Sequence, residues 1–339
     1  MTAAVVALLG LVAAGVLYQR VAGRRRQFAP PGSLIDVGNH RLHVRCAGAG
    51  TPFVLLEAGV AASSLGWSRV QPDVARFTRV CAYDRAGLAW SDPASSPRTF
   101  TLIVDELARV IANVAPRERC ILVGHSFGSF VVRAYATRHP ERVVGLVLVD
   151  PPTEWLPMTP QRRRLIRRGQ RLSRVGAVLA ELGIVRACLM MLTGGAPGAP
   201  RRFVKVFGPA AAGTLQRLVG EVKKLPGDVH PMVREHWCQP KCFHSMADHL
   251  MVLERDGAVI AAAQPPPTVP TVVISGGHQT ADEIEVHRAL AASSFAGRHI
   301  VASRSTHWVQ FDEPELIVEA VKDLAERGAV VESADGVGR

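Results

Sequence analysis

The sequence predicts an α/β protein with a mostly parallel central sheet of about eight strands, flanked by helices, and three observations carry that expectation. First, short β-rich apolar runs alternate with stretches of helical apolar spacing before residue 150 and again after residue 264. Second, Val143 to Val149 is apolar without alternation, as a central parallel strand covered on both faces requires. Third, Cys120-Ile121-Leu122-Val123 leads through Gly124-His125-Ser126-Phe127-Gly128 into the helically spaced Phe130 to Ala136, so a strand, a sharp turn and a helix follow without a break. A length of 339 residues and a hydrophobic content of 48% allow a large core with one insertion, and they exclude disorder across the whole chain.

From the N-terminus, Thr2 to Gln19 carries no charge, and eighteen helical residues rise about 27 Å, near the lower limit for crossing a hydrocarbon core. Residues 1–23 are therefore read as a single-pass transmembrane anchor. A cleaved signal peptide would put positive charge before the apolar run; here Arg20, Arg24, Arg25 and Arg26 follow it. The positive-inside rule then places the bulk of the chain on the cytoplasmic side of the membrane. Residues 24–32, ending in Pro30-Pro31-Gly32, read as a stiff linker.

Leu34 to Val37 and Arg41 to Arg45 form an expected hairpin around Gly38-Asn39, followed by strands at Phe53 to Glu57 and Val80 to Tyr83 and a helix at Phe100 to Val114. After Val149 the pattern stops at Asp150-Pro151-Pro152, and arginine-rich helical stretches occupy residues 151–264. Pro265-Pro266-Pro267 returns the chain to the sheet, with a strand at Thr271 to Ser275, a helix at Asp282 to Ala292, a strand at His299 to Ala302 and a closing helix at Glu313 to Glu326. The core is thus 33–150 joined to 265–327, and residues 328–339 are read as a flexible tail.

Ser126 sits where a strand-to-helix turn would lift a hydroxyl clear of the sheet, and only small neighbours such as Gly124 and Gly128 permit so sharp a turn. The next amide, that of Phe127, would point from the helix N-terminus toward a developing oxyanion. One turn therefore offers a nucleophile and half of an oxyanion hole.

With this junction the chain resembles the α/β-hydrolase family, and three further segments match that family in order. Leu55-Leu56-Glu57-Ala58-Gly59-Val60 is similar to its oxyanion loop, which implies that Val60 supplies the second amide. Tyr83-Asp84-Arg85-Ala86-Gly87-Leu88-Ala89-Trp90-Ser91-Asp92 resembles its Asp-Arg-x-Gly-x-Gly-x-Ser loop, with Ala89 where glycine is usual. Ser305-Thr306-His307-Trp308-Val309-Gln310-Phe311-Asp312-Glu313-Pro314 resembles the segment carrying the catalytic histidine. The resemblance implies Ser126 as nucleophile, His307 as base and residues 151–264 as a helical lid over the site. His125, beside the nucleophile, is expected to pack or hydrogen-bond beneath the turn.

The acid is where the chain departs from the family. The loop after the seventh strand, Gly276-Gly277-His278-Gln279-Thr280-Ala281, lacks a carboxylate at the usual place. Asp282 comes three residues late, at an expected helix cap. Asp150 ends the strand after the nucleophile helix, a position used by some relatives, and is preferred over Asp282 on strand order. The implied reaction is acyl transfer through an acyl-enzyme, with no metal or organic cofactor required. Esters, amides, thioesters and cofactor-free haloperoxidation stay open, whereas epoxide hydrolysis and haloalkane dehalogenation are disfavoured because those relatives use aspartate where Ser126 stands. A non-catalytic binding or signalling protein on the same scaffold is the alternative, and the displaced acid is the reason to keep it.

The net charge of +11 is concentrated: residues 151–260 hold 17 Lys and Arg against 8 Asp and Glu. No aromatic-basic motif accompanies it, which argues against nucleic acid as a partner. The expected partners are a small, apolar acyl substrate and a membrane, the latter through residues 2–19. Segment 161–174 reads equally as a basic amphipathic helix on anionic lipid and as a solvated lid face. His236, Cys238, Cys242, His244 and His249 fit no common zinc spacing and read as parts of lid helices. Cys46, Cys81 and Cys120 read as buried thiols without a disulfide framework, in keeping with a cytoplasmic domain.

Overall fold

The computed structural model describes residues 2–25, 28–153, 159–193 and 220–336. Parts of the expected linker (26–27), lid (154–158 and 194–219) and tail (337–339) lie outside the described residues. Strands β1 (Ser33–Asp36), β2 (Arg41–Ala47), β3 (Phe53–Glu57), β4 (Val80–Tyr83), β5 (Cys120–His125), β6 (Val143–Val149), β7 (Thr271–Gly276) and β8 (Arg298–Ala302) form one eight-stranded sheet in the order β1-β2-β4-β3-β5-β6-β7-β8. β2 runs antiparallel to β1 and β4, and every other pairing is parallel. Each residue of β3, β5, β6 and β7 is buried, which is why their sequences are apolar without alternation.

The α-helices whose bounds are described are α1 (Thr2–Arg25), α2 (Gln71–Val74), α3 (Phe100–Val114), α4 (Phe127–Arg138), α5 (Pro160–Glu181), α6 (Ile184–Thr193), α7 (His230–Trp237), α8 (Pro240–Arg255), α9 (Gly257–Ala262), α10 (Ala281–Ala292), α11 (Val309–Asp312) and α12 (Pro314–Gly336). Alternate strand residues feed two cores. Phe53, Leu55, Leu122 and Leu146 meet Ile103 and Leu107 of α3 and Phe130 and Val131 of α4, while Val54, Leu56, Ile121 and Val147 meet Ile317 and Val321 of α12. Thr99 caps α3 by accepting from the Leu102 amide at 3.1 Å, so the helix begins where the sequence placed it.

Among the described residues, α5 to α9 lie between β6 and β7, where the strand-helix alternation of the sequence is lost. Among the described residues α1 is the one helix long and apolar enough to cross a membrane, over Val5–Arg24.

Two expectations are corrected. Cys46 and Cys81 are not free thiols but a disulfide: they face each other across the antiparallel β2–β4 pair with Cα atoms 4.0 Å apart, a proximity that a separation of 35 residues hides. Disulfides persist in oxidising compartments, so the cysteines lend no support to the expected cytoplasmic side. The last helix also continues past Glu326 to Gly336, into the expected tail. Ala329-Val330-Val331-Glu332 contains no breaker, and one glycine at Gly328 costs only about 1 kcal/mol in a helix.

Candidate active site

Ser126 is the residue between β5 and α4, with φ 51° and ψ −122°, a backbone conformation that a residue with a side chain rarely adopts and that marks a built turn. Its amide donates to the Val149 carbonyl at 2.9 Å, which fixes the turn to the neighbouring strand. The flanking glycines are required by close approach. A Cβ on Gly124 would lie 2.7 Å from the Gly128 carbonyl oxygen, and one on Gly128 would lie 2.5 Å from that of Glu57. Phe127 opens α4. The loop carrying Gly59 and Val60 lies against the turn, since a Cβ on Gly59 would sit 3.3 Å from that of Ser126.

His307 follows β8 and its Nδ1 lies 2.6 Å from Asp150 Oδ2. The other carboxylate oxygen, Oδ1, accepts from the Gly276 amide at 2.8 Å and from Gln279 Nε2 at 2.9 Å. Asp150 is fully buried and itself holds φ 43°. Burial, the largest influence, pushes its carboxyl up, but the His307 hydrogen bond and charge with the Gly276 and Gln279 donors outweigh it and hold the group below its ordinary value. Asp282, the competing acid, is exposed in the first turn of α10, whose cap is Thr280 in a capping box with Glu283. Of the two carboxylates, Asp150 is the one that meets His307.

His125 lies beneath the turn, as expected. Its Nε2 is 2.8 Å from the His307 carbonyl oxygen and its Nδ1 is 3.3 Å from Gln310 Nε2, so the neighbour of Ser126 secures the backbone of His307. Burial above all, and then the charge of His307, push the His125 imidazole down to about 3, which keeps it neutral.

Val60, Ser126, Phe127, Asp150 and His307 line one cavity of about 420 Å³. Phe130, Leu250 and Leu253 make its apolar wall, and His278, Gln279 and Glu283 its polar one. Behind it, Arg85 is buried and donates to the Glu57 carboxylate, to the Ala58 carbonyl at 2.6 Å and to the Gly59 carbonyl. The Tyr83 hydroxyl also donates to Glu57. A buried ion pair thus clamps the chain that leads into Val60. Ala89 occupies the left-handed region at φ 40°, which explains why glycine is usual there.

Asp150, His278 and His307 bring ligand-type atoms within 4.8 Å of one another. The Asp150 oxygens are already committed to three N–H donors, so this set serves hydrogen bonding before it serves an ion. His236, Cys238, Cys242 and His249 are buried within α7 and α8 or between them, and no metal-ligating group includes them among the described residues.

A family model described as the alpha/beta hydrolase fold matches residues 51–171, which contain Ser126, Asp150, Val60 and the two clamp residues. The chain has the α/β-hydrolase fold. Its similarity to 2-hydroxymuconate semialdehyde hydrolase of Pseudomonas sp. (strain CF600) is 35% identity over 123 residues, 35% of this chain and 43% of that one. Haloalkane dehalogenase of Sphingobium indicum is 30% identical over 138 residues, 39% of this chain and 46% of that one. The chain thus spans under half the length of these two curated relatives. Among solved structures, a thermophilic esterase from Thermogutta terrifontis superposes with a TM-score of 0.58 at 19% identity, covering 85% of this chain and 94% of that one, a likeness of fold. In this chain Ser126, His307 and Asp150, brought from three different strand ends, all line one cavity.

Sequence reasoning overlooked Gln279 and underused Arg85. Gln279 stands in the loop where the family's acid was expected, and its amide donates to Asp150 at the end of β6. The absence of a carboxylate between Gly276 and Ala281 was the available signal. Arg85 lies inside a recognised motif, but its partners Glu57 and Gly59 belong to another strand end, which no local spacing reveals.

Proposed function

We propose that the chain is a membrane-anchored serine hydrolase that cleaves carboxylic esters or related acyl compounds. His307 Nε2 takes the Ser126 proton as Oγ attacks the substrate carbonyl carbon. The tetrahedral oxyanion is held by the amides of Phe127 and Val60. The protonated imidazole, oriented and stabilised by Asp150, returns its proton to the leaving alkoxide, and the acyl group stays on Ser126. Water, deprotonated by the same histidine, then attacks the acyl-enzyme and releases the acid. Gln279 and the Gly276 amide keep Asp150 aimed at His307 throughout.

The observation that carries this reading is the 2.6 Å contact between His307 Nδ1 and Asp150 Oδ2 on the cavity that Ser126 also lines. It fixes the tautomer that leaves Nε2 free to accept. The apolar wall of Phe130, Leu250 and Leu253 favours an apolar acyl or alcohol group, and the helices 151–264 serve as a lid over it. The apolar span Val5–Arg24 supports attachment to a membrane, with the exposed residues Val5 to Ala14 as the part that enters it.

Hydrolysis of p-nitrophenyl esters of increasing acyl length by the solubilised full chain tests the proposal. Turnover that Ser126→Ala reduces by about 10³-fold or more is expected, since the nucleophile itself is removed. Equal turnover by wild type and Ser126→Ala overturns the assignment.

A further inference from the structure

α1 does not stand apart from the domain. At Gly15 the backbone comes so close to the insertion that a Cβ would lie 2.5 Å from the Leu182 carbonyl oxygen. The Tyr18 hydroxyl donates to Met190 Sδ at 3.3 Å. Gln19, 8% exposed, donates to the Cys238 carbonyl at 2.8 Å and accepts from Arg186 Nε at 2.8 Å. Arg186, 1% exposed, meets the Glu235 carboxylate with both terminal nitrogens at 2.5 and 2.6 Å. A buried polar cluster thus ties the second half of the apolar span Val5–Arg24 to α5, α6 and α7.

That tie limits how far α1 can stand from the domain. The untied half, Val5 to Ala14, is ten residues and about 15 Å long, roughly half of a ~30 Å hydrocarbon core. Resting on the anchor reading of α1 given above, a helix that enters a bilayer must therefore bring its protein neighbours to the lipid surface. The neighbour with a suitable face is α5. Its buried side carries Ile166, Ser173, Ala177 and Ala180. Its outer side carries Arg164, Leu165, Arg168, Arg171, Leu172 and Val175, all exposed and all within an arc of about 120° at 100° per residue. Leu165 and Leu172 are each 62% exposed and Val175 is 55% exposed. Arginines interleaved with exposed leucine and valine on one arc suit headgroup phosphates above and acyl chains below.

We propose that the outer face of α5 is a second membrane contact, docked on anionic lipid and set in place by the Gln19–Arg186–Glu235 cluster. The active site gains from this position. α5 packs on α8 so closely that a Cβ on Gly169 would lie 3.0 Å from Leu250 Cδ1, and Leu250 lines the cavity. One helix layer then separates lipid from the apolar wall of the site.

The test uses the full chain reconstituted in vesicles of phosphatidylcholine with one-third phosphatidylglycerol. An environment-sensitive fluorophore is attached at Leu8→Cys, Val175→Cys or Val286→Cys, with the unsubstituted chain as the labelling background. Doxyl-labelled lipid should quench Leu8→Cys and Val175→Cys at least twofold and leave Val286→Cys, on α10, unchanged. Combining Val175→Cys with Arg164→Glu, Arg168→Glu and Arg171→Glu should abolish its quenching while Leu8→Cys in the same background stays quenched. Quenching at Leu8→Cys with none at Val175→Cys overturns the second contact and leaves the anchor standing. Absence of quenching at Leu8→Cys overturns the anchor, and the second contact with it.

Discussion

Asp150→Asn is the substitution whose consequence the hydrogen bonds dictate most closely. Asp150 Oδ1 accepts two N–H donors, from Gly276 and Gln279, so in the variant the carboxamide oxygen is compelled to stay on that side. Its NH₂ then faces His307 Nδ1, 2.6 Å away in the native chain. An N–H facing Nδ1 forces that nitrogen to accept, and the ring proton moves to Nε2, the nitrogen that must take the Ser126 proton. The opposite amide orientation would set NH₂ against two donors and forfeit two hydrogen bonds of about 1 kcal/mol each. The favoured orientation therefore loses the base while the side-chain volume is kept. In serine proteases with a Ser-His-Asp triad the corresponding Asp→Asn change costs about 10⁴ in turnover, so a loss of about 10³- to 10⁴-fold is expected here, ~4 to ~5.5 kcal/mol in barrier. The assay is p-nitrophenyl ester hydrolysis beside Asp282→Asn, which should keep wild-type turnover because Asp282 is exposed on α10. Asp150→Asn within tenfold of wild type would refute the reasoning.

Three further outcomes are expected. Gln279→Ala should lower kcat about tenfold with KM unchanged, from the loss of one donor to a charged acceptor, and Gln279→Glu should do worse and move the acidic limb of the pH profile upward by setting a second carboxylate against Asp150; an unchanged profile in both would show that Gly276 suffices. Gly128→Ala should destabilise the fold by about 1 to 3 kcal/mol in urea, because its Cβ would meet the backbone oxygens of Glu57 and Ala58 at 2.5 and 2.7 Å, and an unshifted midpoint would contradict that crowding. Stability should fall on acidification. His125 and His236 are buried and pushed down to about 3 and about 4 from an ordinary 6.5, so below pH 6.5 the unfolded chain takes up protons that the folded chain refuses. Each histidine should remove about 1.4 kcal/mol per pH unit until its folded value is reached, and His236→Gln should flatten the slope; urea unfolding that is flat between pH 7 and 5 would contradict this.

Much of this molecule is legible from the sequence because its signals are local. The buried strands are continuous apolar runs, the Ser126 turn is spelled by Gly124 and Gly128, and Val149 ends where Asp150 and two prolines begin. What was not legible lies between distant segments. Cys46 and Cys81 pair because β2 and β4 are neighbours, although 35 residues apart. The choice between Asp150 and Asp282 depended on where β6 and β7 end relative to each other, since Gly276 at the end of β7 is what receives Asp150. The docking of α1 uses Gly15, Tyr18 and Gln19, and the partners of Gln19 lie 167 and 219 residues away. Periodicity reports which face is buried, but it does not report against what.

Labelling of the detergent-solubilised full chain with a fluorophosphonate probe tests the central claim most directly, because the probe reacts with an activated serine whatever the natural substrate is. Labelling that is present in the wild-type chain and absent from both Ser126→Ala and His307→Ala is the predicted result. A folded wild-type chain that takes no label, or one whose label survives in Ser126→Ala, would contradict the assignment of Ser126 as an activated nucleophile.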